Sequence, residues 1–203
     1  RSRGLGDVYK RQVIYQGGHM PPKIKVTKEQ IIEAAFNLVK REGKEKLHAR
    51  TIAKELNIST QPIFTSFSCM DDLIQEIKKK ALGVYHQYIN EGLKMEKPFK
   101  GTGIKYIEFA KNEPNLFYVL FMDQLDQSYQ NINIDTKEHE EMQTQLILKT
   151  IGCSYDEAKM IQLESWIFVH GIACMIVTNT IHFDEEIISK LLVDFYKGLL
   201  TRR

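Results

Sequence analysis

The feature that most constrains this 203-residue chain is the spacing of its apolar residues between Thr27 and Phe67. Ile31, Ala34, Ala35, Leu38 and Val39 recur at helical intervals, so they share one face of a first helix. Thr27 and Gln30 stand at capping-box spacing ahead of it, and Gly43 is placed to end it. A second short helix is expected from about His48 to Leu56, burying Ile52, Ala53 and Leu56. It stops at Asn57, a residue that tolerates the left-handed conformation of a sharp turn. Ser59 is placed to cap a third helix, from about Thr60 to Phe67, with Pro62 in its first turn, where a missing backbone donor does no harm. Ile63 and Phe67 then face inward. The outer side carries Thr60, Gln61, Thr65 and Ser66, short polar groups instead of the Lys and Glu of an ordinary solvated helix.

Helical patterning continues to the end of the chain. A long helix is expected from Asp71 to about Leu93, with Lys78, Lys79 and Lys80 as a solvated patch on its flank. Pro98, Gly101 and Gly103 read as a break. Further helices are expected at Thr102–Lys111, Pro114–Met122, Thr136–Ile151, Tyr155 to about Ile181, and Glu185–Leu200, with Asp123–Ile134 as a polar loop. Twelve Gly and five Pro are too few for a sandwich or barrel of many tight turns. The expected class is all-α: a three-helix unit over residues 20–70 followed by a helical bundle over 71–203.

Residues 20–70 hold nine basic and five acidic side chains, whereas 71–203 hold fifteen and twenty. A basic unit joined to an acidic remainder suits a protein that meets a polyanion at one end only. Residues 1–19, which end in Gly17-Gly18-His19, read as a non-native or disordered tail; the alternative is a basic arm on DNA. Cys69, Cys153 and Cys174 are too few and too scattered for a disulfide framework and lack metal-ligand spacing, which fits a reducing cytoplasm. The longest strongly apolar run, Trp166–Val177, falls short of the roughly 18 to 20 residues of a membrane span, so no membrane is expected as a partner.

Two short helices joined by a tight turn, the second exposing small polar groups, form a helix-turn-helix whose second helix can enter the major groove of double-stranded DNA. Gln pairs bidentately with adenine, and Thr reaches thymine or another base edge, which makes Thr60 and Gln61 the candidate base readers. The run Ile31, Ala34-Ala35, Leu38, Gly43, Thr51-Ile52-Ala53, Leu56-Asn57-Ile58-Ser59, Ile63-Phe64, Phe67 and Asp72-Leu73 resembles the N-terminal domain of the tetracycline-repressor (TetR/AcrR) family of bacterial transcription regulators. The resemblance implies that Thr60, Gln61 and Pro62 approach bases and that Arg50, Thr51, Phe64 and Ser66 lie at phosphate-contacting positions; Thr65 completes the polar row. It departs from the family at Phe64, Ser66 and Met70, where Tyr, Tyr or His, and Lys are usual, and at His48, which replaces a Ser or Thr cap. Arg50, Lys23, Lys25 and Lys28 are then the cations left to meet phosphates.

Trp166 followed by His170-Gly171 is similar to the Trp…His-Gly signature of one C-terminal class of that family. The resemblance assigns the last two helices to a homodimer seam, whose two-fold symmetry matches a palindromic operator. Aromatic and sulfur side chains are dense in this half. Tyr106, Phe109, Phe117, Phe121, Met122, Trp166, His170 and Met175 are the candidate lining of a pocket for a small apolar or aromatic effector. No catalytic constellation, cofactor motif or metal site is expected: Glu138-His139-Glu140-Glu141 lacks a second His at zinc-helix spacing, and Asp184, Glu185 and Glu186 after His182 read as a helix opening. The expected function is an effector-released repressor, not an enzyme. The alternative is a helical small-molecule binding protein with weak or lost DNA binding.

Overall fold

Thr27 opens the first helix as its spacing predicts. The Gln30 N–H donates to its hydroxyl at 3.2 Å while its own N–H donates to the Gln30 side chain at 2.9 Å. The computed structural model describes residues 26–123 and 133–201, and among these every regular element is helical. The elements are α1 (Lys28–Glu42), a single tight turn Lys44–Lys46, α2 (Ala49–Glu55), α3 (Gln61–Ser66), α4 (Met70–Leu93), α5 (Pro98–Asn112), α6 (Pro114–Phe117), α7 (Asn133–Ile151), α8 (Tyr155–Val177) and α9 (Glu185–Thr201). A wider, π-type turn, Tyr118–Met122, prolongs α6. Residues 1–19, Lys23, Lys25 and most of the expected polar loop lie outside the described residues.

α2 and α3 have seven and six residues, far below the roughly 12 to 15 at which an isolated helix becomes stable in water. Tertiary burial therefore holds them. Ile52, Ala53, Ile63 and Phe67 pack with Ile31, Ala35, Leu38 and Val39 of α1, all buried. Each fully buried Ile or Leu contributes about 2 kcal/mol relative to exposure, several times any difference in helix propensity. The α2–α3 turn follows from Asn57, at φ +54°: the Ile58 N–H reaches the Ala53 carbonyl and the Asn57 N–H that of Lys54, a Schellman closure. α3 starts one residue late, because the carbonyl of Thr60 accepts from Ile63 and Phe64, and no side chain, Ser59 included, caps it.

Two expectations fail for long-range reasons. Pro98, Gly101 and Gly103 do not break the chain; Pro98 opens α5 and both glycines lie inside it. Gly92 and Gly101 let α4 and α5 touch backbone to backbone, since a β-carbon on Gly92 would stand 2.6 Å from the Gly101 carbonyl oxygen. Of Lys78, Lys79 and Lys80, expected as a solvated patch, only Lys79 is exposed. Lys78 is buried and lies 3.3 Å from Asp123, Lys79 pairs with Glu76, and Lys80 pairs with Glu33 of α1.

α8 is longer than the apolar run that marks it. By length and composition it could cross a membrane, and 22% of its most apolar stretch is buried within the chain. It packs on α5 and α7 with one face, leaving Met160, Leu163, Ile167 and Met175 exposed.

Candidate functional site

α3 sorts its residues cleanly. Ile63 and Phe67 are inside, while Gln61, Phe64 and Thr65 are exposed and Thr60, Pro62 and Ser66 half-exposed. Phe64, at 57% exposure, is a large apolar ring left mostly open by the described residues. The hydroxyls of Thr65 and Ser66 donate to the carbonyls of Gln61 and Pro62, so their protons are used within the helix. Lys28 lies with its ammonium 4.9 Å from the Phe67 ring centre. In the first turn of α2, Arg50 is exposed. The Thr51 hydroxyl accepts from the His48 N–H at 3.0 Å and lies 2.7 Å from the Lys46 carbonyl, so it closes the start of α2.

The second site is a cavity of about 430 Å³ between α4, α5, α7, α8 and α9. Four of the eight expected residues line it: Tyr106, Phe121, Trp166 and His170. Phe109 and Phe117 do not, because they are fully buried in the core behind it. Met122 is partly buried against the core, and Met175 is exposed on α8. Tyr85 and Ile89 of α4, Phe99 and Thr102 of α5, Gln143 of α7, Gln162 of α8 and Tyr196 of α9 join the wall without having been expected. Tyr85 falls in the inward row of α4, four residues from Ala81 and from Ile89, and that spacing was the one available clue.

His170 organises the inner wall. Its ring stacks on Trp166 with centres 4.9 Å apart and planes 15° apart, and on Phe117 at 5.8 Å. Nδ1 lies 2.9 Å from the Tyr106 hydroxyl and Nε2 3.3 Å from the Cys174 sulfur, a chain of hydrogen bonds that can run in either direction. Burial pushes the imidazole below its ordinary range and the Tyr106 phenol and Cys174 thiol upward, so all three are neutral at pH 7. A neutral thiol beside a neutral imidazole is not an activated nucleophile.

Between the two sites lies a polar junction. Asp123, at the end of the π-type turn, accepts from Lys44 at 2.5 Å and from Lys78 at 3.3 Å. Burial alone would push the Asp123 carboxyl up; the Lys44 hydrogen bond and the Lys78 charge outweigh it and hold it below the usual carboxylate range. Lys40 of α1 adds an ion pair to Glu113 at 2.7 Å, and Asn115 donates to the Lys40 carbonyl at 3.0 Å. Elsewhere, Asp184 caps α9 by accepting from the Ile187 N–H at 2.7 Å, which accounts for it by helix opening alone. Glu138 and His139 lie outside the residues whose side chains are described.

The arrangement has relatives among solved structures. A TetR-like transcriptional regulator from Rhodococcus sp. RHA1 aligns over 85% of this chain and 95% of its own, with a TM-score of 0.64 and 13% identity. The chain has the TetR-like fold. A second transcriptional regulator from Rhodococcus sp. Rha1 covers 87% of this chain and 97% of its own at a TM-score of 0.61 and 14% identity. A TetR variant from Acinetobacter baumannii AYE, in complex with minocycline, covers 87% and 93% at 0.53 and 15%. No family model and no curated protein sequence matches the chain. In this chain α2 and α3 are two short helices joined by a tight turn, and the cavity lies in the larger helical unit that follows them.

Proposed function

We propose that the protein is a cytoplasmic, homodimeric transcription regulator that reads a palindromic operator with α3 and is released from it by a small apolar or aromatic effector. Residues 20–70 form the DNA-binding unit in this reading, and 71–203 the ligand-binding and dimerisation unit. The observation that carries it is α4. This one helix starts four residues after the end of α3 and supplies Tyr85, His86 and Ile89 to the cavity wall, so one stiff rod of 24 residues serves both sites. Filling the cavity displaces that rod, and the spacing of two α3 helices no longer fits successive major grooves, roughly 34 Å apart. A tenfold loss of operator affinity requires about 1.4 kcal/mol of difference in effector binding between the two states.

The exposed row Met160, Leu163, Ile167 and Met175 on α8, with Ile187 on α9, supports packing against a second copy. Gly171 of α8 and Gly198 of α9 have nothing within 4 Å of where a β-carbon would stand, leaving room for close helix approach. One set of observations favours a second reading, a small-molecule binding protein without effective DNA binding. The hydroxyls of Thr51, Thr65 and Ser66 already have partners within the chain, and Phe64 offers no phenolic donor. Selection of the purified protein against a random duplex library, at low and near-physiological salt, separates the two. An enriched inverted repeat whose binding falls steeply with salt is expected; no enrichment from folded protein assigns the second reading instead.

A further inference from the structure

The cavity is unevenly equipped with charge. Among the described residues that line it there is one carboxylate, Glu140, and no Lys or Arg. Glu140 is exposed and has no ion-pair partner among the described residues. The hydroxyl of Tyr196 and the side-chain amide of Gln162 also lack hydrogen-bond partners among them, while both face the cavity. Burial lowers the His170 imidazole, so it supplies no positive charge at pH 7, and the other imidazole of the wall is His86 of α4.

These groups sort ligands by charge. A carboxylate or phosphate brought into this space meets aromatic walls, finds no Lys or Arg among the described lining residues and lies near a like charge, so its lost hydration is poorly compensated. A protonated amine gains on both counts, from the Glu140 carboxylate and from the electron-rich faces of indole and phenol rings, which attract cations. The volume leaves room for a fused-ring molecule of drug-like size.

We propose that the cavity takes planar aromatic amines that are protonated at neutral pH, with the ring system against Trp166 and Tyr85 and the charged nitrogen toward Glu140. The inference rests on the reading of the cavity as a ligand site, and not on DNA binding. Trp166 is the single tryptophan of the chain and lies in the wall, so its emission reports occupancy.

The test titrates the full chain with three probes that share one ring skeleton: 9-aminoacridine as the cation, acridine as the neutral form and acridine-9-carboxylate as the anion. Saturable quenching of Trp166 is expected, with the cation bound at least about tenfold more tightly than the anion. Glu140→Gln, checked for folding by its thermal transition, is expected to remove the advantage of the cation over acridine and to leave acridine binding in place. Equal affinity for the three probes would overturn the charge assignment while leaving the cavity as a ligand site. A cation preference that survives in Glu140→Gln would overturn the role of Glu140. Binding of none of the three would overturn the reading of the cavity itself.

Discussion

Nζ of Lys44, in the turn after α1, lies 2.5 Å from Oδ2 of Asp123, two residues beyond the Phe121 that lines the cavity. The same carboxylate meets the buried Lys78 of α4, so one side chain ties the turn after α1 and helix α4 to the cavity wall. Asp123→Asn keeps the shape and removes the charge. It is expected to lower stability by about 1 to 3 kcal/mol at pH 7 and to weaken the effect of a cavity ligand on operator affinity. The sign with pH follows from the depressed carboxyl: its contribution is full above the ordinary carboxylate range and is lost as pH falls through that range toward the native value. Denaturant unfolding of both proteins should therefore show a gap at pH 7 that narrows as pH falls below the ordinary carboxylate range.

Gln61 and Arg50 test different parts of DNA contact. Gln61→Ala is expected to weaken operator binding by about 1 to 3 kcal/mol and to relax preference at one base position. Arg50→Ala is expected to weaken all duplexes alike and to lower the slope of log affinity against log salt by about one unit. Fluorescence anisotropy on the selected repeat and on single-base variants reads both. An unchanged preference for Gln61→Ala would remove α3 from the major groove.

Gly92→Ala places a methyl group against the Gly101 carbonyl, on backbone that cannot turn aside as a side chain would. The two helices must separate, at a cost of about 1 to 3 kcal/mol. Gly171→Ala, inside α8 with open space around it in the single chain, is expected to raise the monomer's own stability by up to about 1 kcal/mol through helix propensity. Thermal unfolding of the two variants under one set of conditions makes the comparison.

Ile167, at 57% exposure, touches little within its own chain. Ile167→Asp is therefore expected to leave the fold in place while splitting the dimer, since it puts a charge in the middle of the exposed apolar row of α8. Sedimentation velocity should show monomer at concentrations where the parent protein is dimeric. Operator affinity should fall with it.

The parts legible in the sequence are those decided locally. Thr27 with Gln30, the left-handed Asn57 and the inward pair Ile63 and Phe67 depend on neighbours within a few residues, and spacing is enough to place them. What spacing could not supply is the identity of distant partners. Three consecutive lysines look alike until the fold brings Asp123 to one of them and Glu33 to another. Gly101 looks like a helix breaker until Gly92 comes against it. The aromatic density of the second unit is real, yet helix rotation decides that Phe109 and Phe117 are core while Tyr85 and Tyr196 face the cavity.

The central claim is that one helix couples cavity to operator. It is tested most directly by measuring operator affinity in a single sample while Trp166 emission reports occupancy by a cavity ligand. A fall in affinity of at least about tenfold, following the Trp166 titration to saturation, is expected. A saturated cavity with operator affinity unchanged would contradict it.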